Sequence, residues 1–216
     1  MPDINITYSK LAPLLKTGDI VLVHGDTKFQ EVLELLTKSS FIHSAMVVLS
    51  KDIGLSEKTA PILLWESTPY TITIDQELQK PKAGPTLVDL ETRINDELSN
   101  GIFTKYVFRR LEKELGADNF TGLKKAIQEL YPDKFPTDWW FFVKGIIGRL
   151  FNREVKQSTY FCSELVAHSY QRMGLLSYEH PADYYEPKDF STTGHLDLLN
   201  NQFLDEEMNL EIGLKE

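Results

Sequence analysis

Cys162, in the run Tyr160-Phe161-Cys162-Ser163-Glu164-Leu165-Val166, is the single cysteine of this 216-residue chain. The stretch from Tyr160 to Met173 has helical spacing, and Ser158 and Thr159 are suited to cap its start. A thiol in the first turn of a helix feels the positive end of the dipole, which lowers its pKa toward a reactive thiolate. The same position also suits a small, buried, apolar residue. A nucleophilic reading therefore needs a base, and the chain offers five histidines. His168 follows Cys162 on the same helix after about 600° of rotation, so it points elsewhere. His180 and His195 lie in polar, loop-like surroundings. His24 ends an apolar run just before Gly25 and is a possible base.

His43 stands out because it interrupts the apolar run Phe41 to Leu49. An imidazole inside a strand loses hydration and needs a partner, whether it serves chemistry or only packing. Pairing Phe41–Leu49 antiparallel with Pro61–Ser67 supplies one. The register that opposes Leu49 to Ala60 also opposes His43 to Glu66. Period-two alternation then puts His43, Ala45 and Val47 on one face with Ile62, Leu64 and Glu66. Taken alone, Glu66 also suits a surface acid at a strand end. Together, base and orienting carboxylate are the two parts a thiol nucleophile requires.

The elements that must position these residues follow from the same patterns. Residues 8–16 predict a short helix or extended lead-in, and Thr17-Gly18-Asp19 a turn. Asp19 suits that turn, and its carboxylate is also a candidate for substrate binding. Ile20–Val23 predicts a buried strand and Phe29–Leu36 a helix. Residues 75–100 are polar, with Pro81, Gly84 and Pro85. Asp89, Glu91, Asp96 and Glu97 there read as a solvated face or loop. Gly101–Leu115 and Asn119–Leu130 predict helices, with Pro132 and Pro136 breaking the second. Trp139–Phe151 predicts another, and Gly174 suits the end of the cysteine helix. The tail after residue 195 is acidic and weakly patterned. The whole is an α+β arrangement in a single domain, residues 1–216, with a helical insertion expected over 75–155.

Composition narrows the function. A net charge of −9 disfavours non-specific nucleic-acid binding. One cysteine rules out a disulfide framework within the chain and a cysteine-built zinc site. No glycine-rich phosphate loop or metal-ligand cluster is present, so no cofactor and no metal are expected. The beginning of the chain lacks the apolar core of a secretory signal, which points to the cytoplasm. Trp139–Phe151 carries Lys144 and Arg149 and falls short of the about 20 apolar residues that span a bilayer. It suits a core helix, or a segment lying on a membrane surface.

Three segments resemble the NlpC/p60 superfamily of papain-like cysteine peptidases and amidases. The likeness is to its circularly permuted, YiiX-like branch, to which lecithin retinol acyltransferase-like enzymes are more distant relatives. Thr17-Gly18-Asp19-Ile20-Val21-Leu22 resembles the family's strand entry. His43-Ser44-Ala45-Met46-Val47-Val48 resembles its histidine strand, with Ala45 where glycine is usual. Tyr160–Val166 resembles the permuted cysteine helix. Trp65-Glu66-Ser67 sits where that branch places its third, polar residue, and the order His, Glu, Cys is the permuted one. The resemblance implies a small antiparallel β-barrel or curved sheet packed on the cysteine helix. It implies Cys162 as nucleophile, His43 as acid and base, and Glu66 as its orienter. The Cys162 backbone N–H would hold the oxyanion, with Tyr160 a candidate for a second donor. The substrate would be an amide or ester: a peptide, or an acylated small molecule or lipid. A papain-like domain retained for assembly rather than catalysis is the non-enzymatic alternative, and the oligomeric state stays open.

Overall fold

The computed structural model describes residues 4–24, 41–55, 58–132 and 162–211. Among these residues nine strands form one open sheet: β1 (Ile4–Thr7), β2 (Ile20–His24), β3 (Phe41–Leu49), β4 (Ile62–Thr68), β5 (Ile74–Asp75), β6 (Lys80–Pro81), β7 (Gly84–Asp89), β8 (Lys105–Arg109) and β9 (Met208–Glu211). Their order across the sheet is β1-β9-β8-β2-β3-β4-β7-β5-β6. All neighbours are antiparallel except β1 and β9, which run parallel. Among the described residues five α-helices accompany them: α1 (Tyr8–Leu11), α2 (Ser50–Ile53), α3 (Leu90–Ser99), α4 (Ala117–Leu130) and α5 (Cys162–Arg172). The class is mixed α+β, and the sheet does not close into a barrel.

Alternation along the strands builds two cores. Ile20, Leu22, Met46, Val48, Leu63 and Trp65 face α4 and α5, whose Leu123, Leu130, Leu165 and Tyr170 complete that layer. Val21, Val23, Ala45, Val47, Leu64 and Val88 face the other way, toward Leu90 and Ile94 of α3 and Leu11 and Leu15 of the lead-in. Two hydrogen bonds hold α5 to the sheet. Trp65 Nε1 donates to Ser169 Oγ at 3.0 Å, and the Tyr170 hydroxyl donates to the Gly18 carbonyl. Helices α4 and α5 cross closely at Gly122, where a Cβ would lie 2.0 Å from the Arg172 carbonyl oxygen.

Over the described part of 75–155, the helix expected at Asn119–Leu130 stands as α4, while the one expected at Gly101–Leu115 is corrected. Gly101–Leu115 holds strand β8, in which Tyr106 and Phe108 alternate with Val107 and Arg109 and bury against β2. The apolar content suits either period, and tertiary pairing decides for the strand. The polar stretch 75–100 supplies β5, β6, β7 and α3, so residues 75–132 belong to the sheet and its covering helices. The weakly patterned tail contains β9, inserted between β1 and β8. The expected helices at Phe29–Leu36 and Trp139–Phe151 lie outside the described residues, as does Tyr160.

Candidate active site

Strands β3 and β4 pair from Met46 opposite Trp65 to Leu49 opposite Ile62, and that ladder goes no further. Beyond it β3 stays with β2, through Val23 opposite His43. Strand β4 stays with β7, through Glu66 opposite Thr86 and on to Thr68 opposite Gly84. The two strands therefore part at the level of His43 and Glu66. The register also corrects the expected one by two residues: continued, it places Glu66 across from Ala45, not His43. A two-residue shift preserves the face, so His43 and Glu66 meet diagonally, within reach of long side chains. His43 Nε2 lies 2.7 Å from Glu66 Oε2, and both residues are buried.

Cys162 enters from the opposite layer, at the start of α5 as described, and is half-buried. Its sulfur is hydrogen-bonded to the His43 ring and to the backbone N–H groups of Ser44 and Ser163. The Val47 N–H donates to the backbone carbonyl of Asp19, just before β2, at 2.8 Å, and the pleat turns the Ser44 N–H to the other edge, toward the gap. Since Nε2 serves Glu66, Nδ1 is the ring nitrogen left for the thiol. The structure thus brings Cys162, His43 and Glu66 together through the opening between β3 and β4.

The electrostatics match that geometry. Burial opposes charge on His43, but the thiolate and the Glu66 carboxylate outweigh it and raise its pKa to about 10. Burial would push the Cys162 thiol up, yet the His43 charge and hydrogen bond hold it below its ordinary value. Glu66 is likewise desolvated, and Arg93 and His43 together hold its carboxyl below the usual range. A buried thiolate–imidazolium pair with an ionised carboxylate behind it is the favoured charge state.

Behind Glu66 stand Arg93 and Glu97, the second of which sequence patterns had placed on a solvated face or loop. Arg93 of α3 is 1% exposed. Its Nε lies 2.8 Å from Glu66 Oε1 and 2.9 Å from Glu97 Oε1. It sits between the two carboxylates, so neither contact has the angle of a directional hydrogen bond. Nη2 donates to Thr68 Oγ1 at 3.0 Å, and the Tyr106 hydroxyl donates to Glu97 Oε2 at 2.6 Å. Burial, then repulsion from Glu66, pushes Glu97 up to about 7 against the pull of Arg93. The available signal was the spacing of α3: Leu90, Arg93, Ile94 and Glu97 share one helical stripe, and the structure buries all four. Asp89 instead caps that helix, accepting from the Thr92 N–H at 2.9 Å.

Asp19 is not part of this cluster. Its oxygens accept from the backbone N–H groups of Lys16 and Leu111, each at 2.9 Å. It precedes Ile20, which opposes Met46, whereas His43 opposes Val23 at the far end of β2. There Asp19 clamps the entry turn to the segment after β8, the structural role that its turn position suits. His24 packs its ring 4.3 Å from Phe41, and His168 pairs with Glu129 at 3.2 Å. Phe103 stacks on His43 at 5.7 Å and meets Tyr70 edge-on at 6.1 Å, forming an aromatic wall beside the imidazole. Among the described residues, no group of three or more His, Cys, Asp or Glu is placed to hold a metal ion. Nor is any helix among them long and apolar enough to cross a membrane.

No family model matches the chain, and no curated protein matches it. Among solved structures it is similar to the crystal structure of the metalloprotein YiiX from Escherichia coli O157:H7. The TM-score is 0.46 and the identity 16%, over 92% of this chain and 97% of that one. That likeness is too distant to carry a function across.

Proposed function

We propose that this protein is a cysteine hydrolase of the permuted papain-like kind, acting on an amide bond with Cys162 as nucleophile, His43 as acid and base and Glu66 as orienter. The observation that carries the reading is the hydrogen-bonded chain from the Cys162 thiol through His43 to the Glu66 carboxylate. The thiolate attacks the acyl carbon and a tetrahedral oxyanion forms. Backbone N–H groups converging near the sulfur suit its stabilisation, with that of Cys162 the first candidate. Collapse expels the amine, which leaves with the proton from His43, and a thioester remains on Cys162. Water, deprotonated by His43, then releases the acid and restores the thiolate–imidazolium pair. Glu66 keeps the ring oriented and its cationic form stable throughout. The same scaffold supports the single-domain organisation and the NlpC/p60, YiiX-like affinity that the motif order implies.

The same nucleophile and base also suit ester hydrolysis or acyl transfer. Chromogenic amides and esters of matched acyl groups, assayed side by side, separate the two. Cys162→Ala abolishes turnover of whichever is cleaved, while circular dichroism shows the fold intact. Alkylation supplies a substrate-free check. With a single cysteine in the chain, iodoacetamide uptake reports Cys162 alone. A thiol that reacts only as the pH approaches the ordinary value of 9.0 overturns the hydrolase reading and favours an assembly role.

A further inference from the structure

Glu66 does not orient His43 unaided, because its other oxygen is held by a cation that a second buried acid shares. Arg93 and Glu97 lie one turn apart on α3, on the face turned into the sheet. The buried run is continuous: His43 to Glu66 at 2.7 Å, Glu66 to Arg93 at 2.8 Å, Arg93 to Glu97 at 2.9 Å, and Glu97 to the Tyr106 hydroxyl at 2.6 Å. Two carboxylates compete for one guanidinium nitrogen. Whatever charge Glu97 carries reduces what Arg93 lends to Glu66, and Glu66 then acts as the stronger acceptor for His43.

Resting on the hydrolase reading above, we propose that Arg93 and Glu97 are positioning residues that act through Glu66. In this arrangement the charge on Glu97 sets how far up the pH scale His43 keeps its proton. The groups facing Glu97 come from every packed element: Arg93 on its own helix, Glu66 on β4, His43 on β3, Tyr106 on β8 and Tyr70 from the segment after β4. Asp96, next in the chain, is engaged by the Thr73 hydroxyl at 2.7 Å. Of these, Glu97 is the acid poised to change charge near neutrality, at about 7. Below that point Arg93 serves Glu66 alone. Above it, the extra negative charge stabilises the imidazolium.

The test is the pH profile of Cys162 alkylation by iodoacetamide in the full chain. The wild-type profile is expected to rise at low pH, as the thiolate forms, and to step again where His43 loses its proton. Glu97→Gln, which keeps the shape and removes the charge, is expected to move that upper step down by about one pH unit. Glu97→Asp, which alters the packing more but keeps the charge, is expected to leave it near the wild-type position. A merely structural role gives the reverse order. A wild-type measurement needs no variant to fold: the His43 ring signal, followed by NMR, is expected to show an inflection near pH 7 while the ring stays protonated. Superimposable wild-type and Glu97→Gln profiles, or a His43 signal flat through neutrality, overturn the proposal. If wild-type Cys162 already behaves as an ordinary thiol, the hydrolase reading falls as well. If it reacts at low pH and only the Glu97 effects are missing, this inference alone falls.

Discussion

Cys162, His43 and Glu66 are each an odd residue for their surroundings: a lone thiol, and two ionisable groups in apolar strands. That oddity is why sequence patterns pick them out. Glu66→Gln keeps the side-chain shape and removes the charge that helps raise His43 to about 10. We expect the low-pH rise in the Cys162 alkylation rate to move up by about one pH unit or more, since the imidazolium that stabilises the thiolate is itself less stable without the carboxylate. A profile equal to wild type would deny Glu66 its role. Arg93 and Glu97 escaped the same reading because charged residues in a polar stretch look solvated until a helix is drawn through them. Asp19 fills the turn role that its position suits, and two backbone N–H groups engage its buried carboxylate. Asp19→Ala is expected to cost about 1–3 kcal/mol for each amide left unsatisfied, read by urea denaturation. The alkylation profile of Cys162 should not move.

At the scale of elements, the site exists because β3 and β4 separate after Met46 and Trp65, while α5 is fastened to the sheet alongside. The strands themselves were legible from composition and alternation. Their register was not, because period-two patterns determine a face but leave shifts of two residues undecided. β8 was misread because its short run of Tyr106, Val107 and Phe108, although strand-favouring by residue type, was read as part of a longer helical segment, and the pairing with β2 settles it. The crossing of α4 over α5 is beyond any local pattern, since it depends on the absence of a side chain at one point. Gly122→Ala puts a methyl against the Arg172 carbonyl and forces the helices apart. A loss of about 1–3 kcal/mol is expected in chemical denaturation. The Cys162 alkylation rate should change with it, because α5 carries the thiol.

For the whole molecule, buried acids decide how stability varies with pH. Glu97 rises from 4.5 to about 7 on folding, and Asp19 from 3.8 to about 6. The folded state therefore binds these protons more tightly than the unfolded chain. Their contribution is greatest below the unfolded values and is lost as pH rises through the folded ones. His43 adds a term of the same sign higher up, present below 6.5 and lost as pH rises through about 10. Cys162, lowered on folding, acts in the opposite sense until the unfolded thiol ionises near 9.0. The urea midpoint is thus expected to be higher at pH 5 than at pH 8, and Glu97→Gln should flatten the difference. An unchanged slope in that variant would place the titration elsewhere. The order of the sheet has a different consequence, one of timing. Among the described strands β1 has a single neighbour, β9, although the two are drawn from opposite extremes of the described chain. A ribosome delivers residues 4–7 early and 208–211 late. Until then β1 has no edge to join, and loop closure over that separation is slow. The first of the described strands to be made must be among the last to find its place.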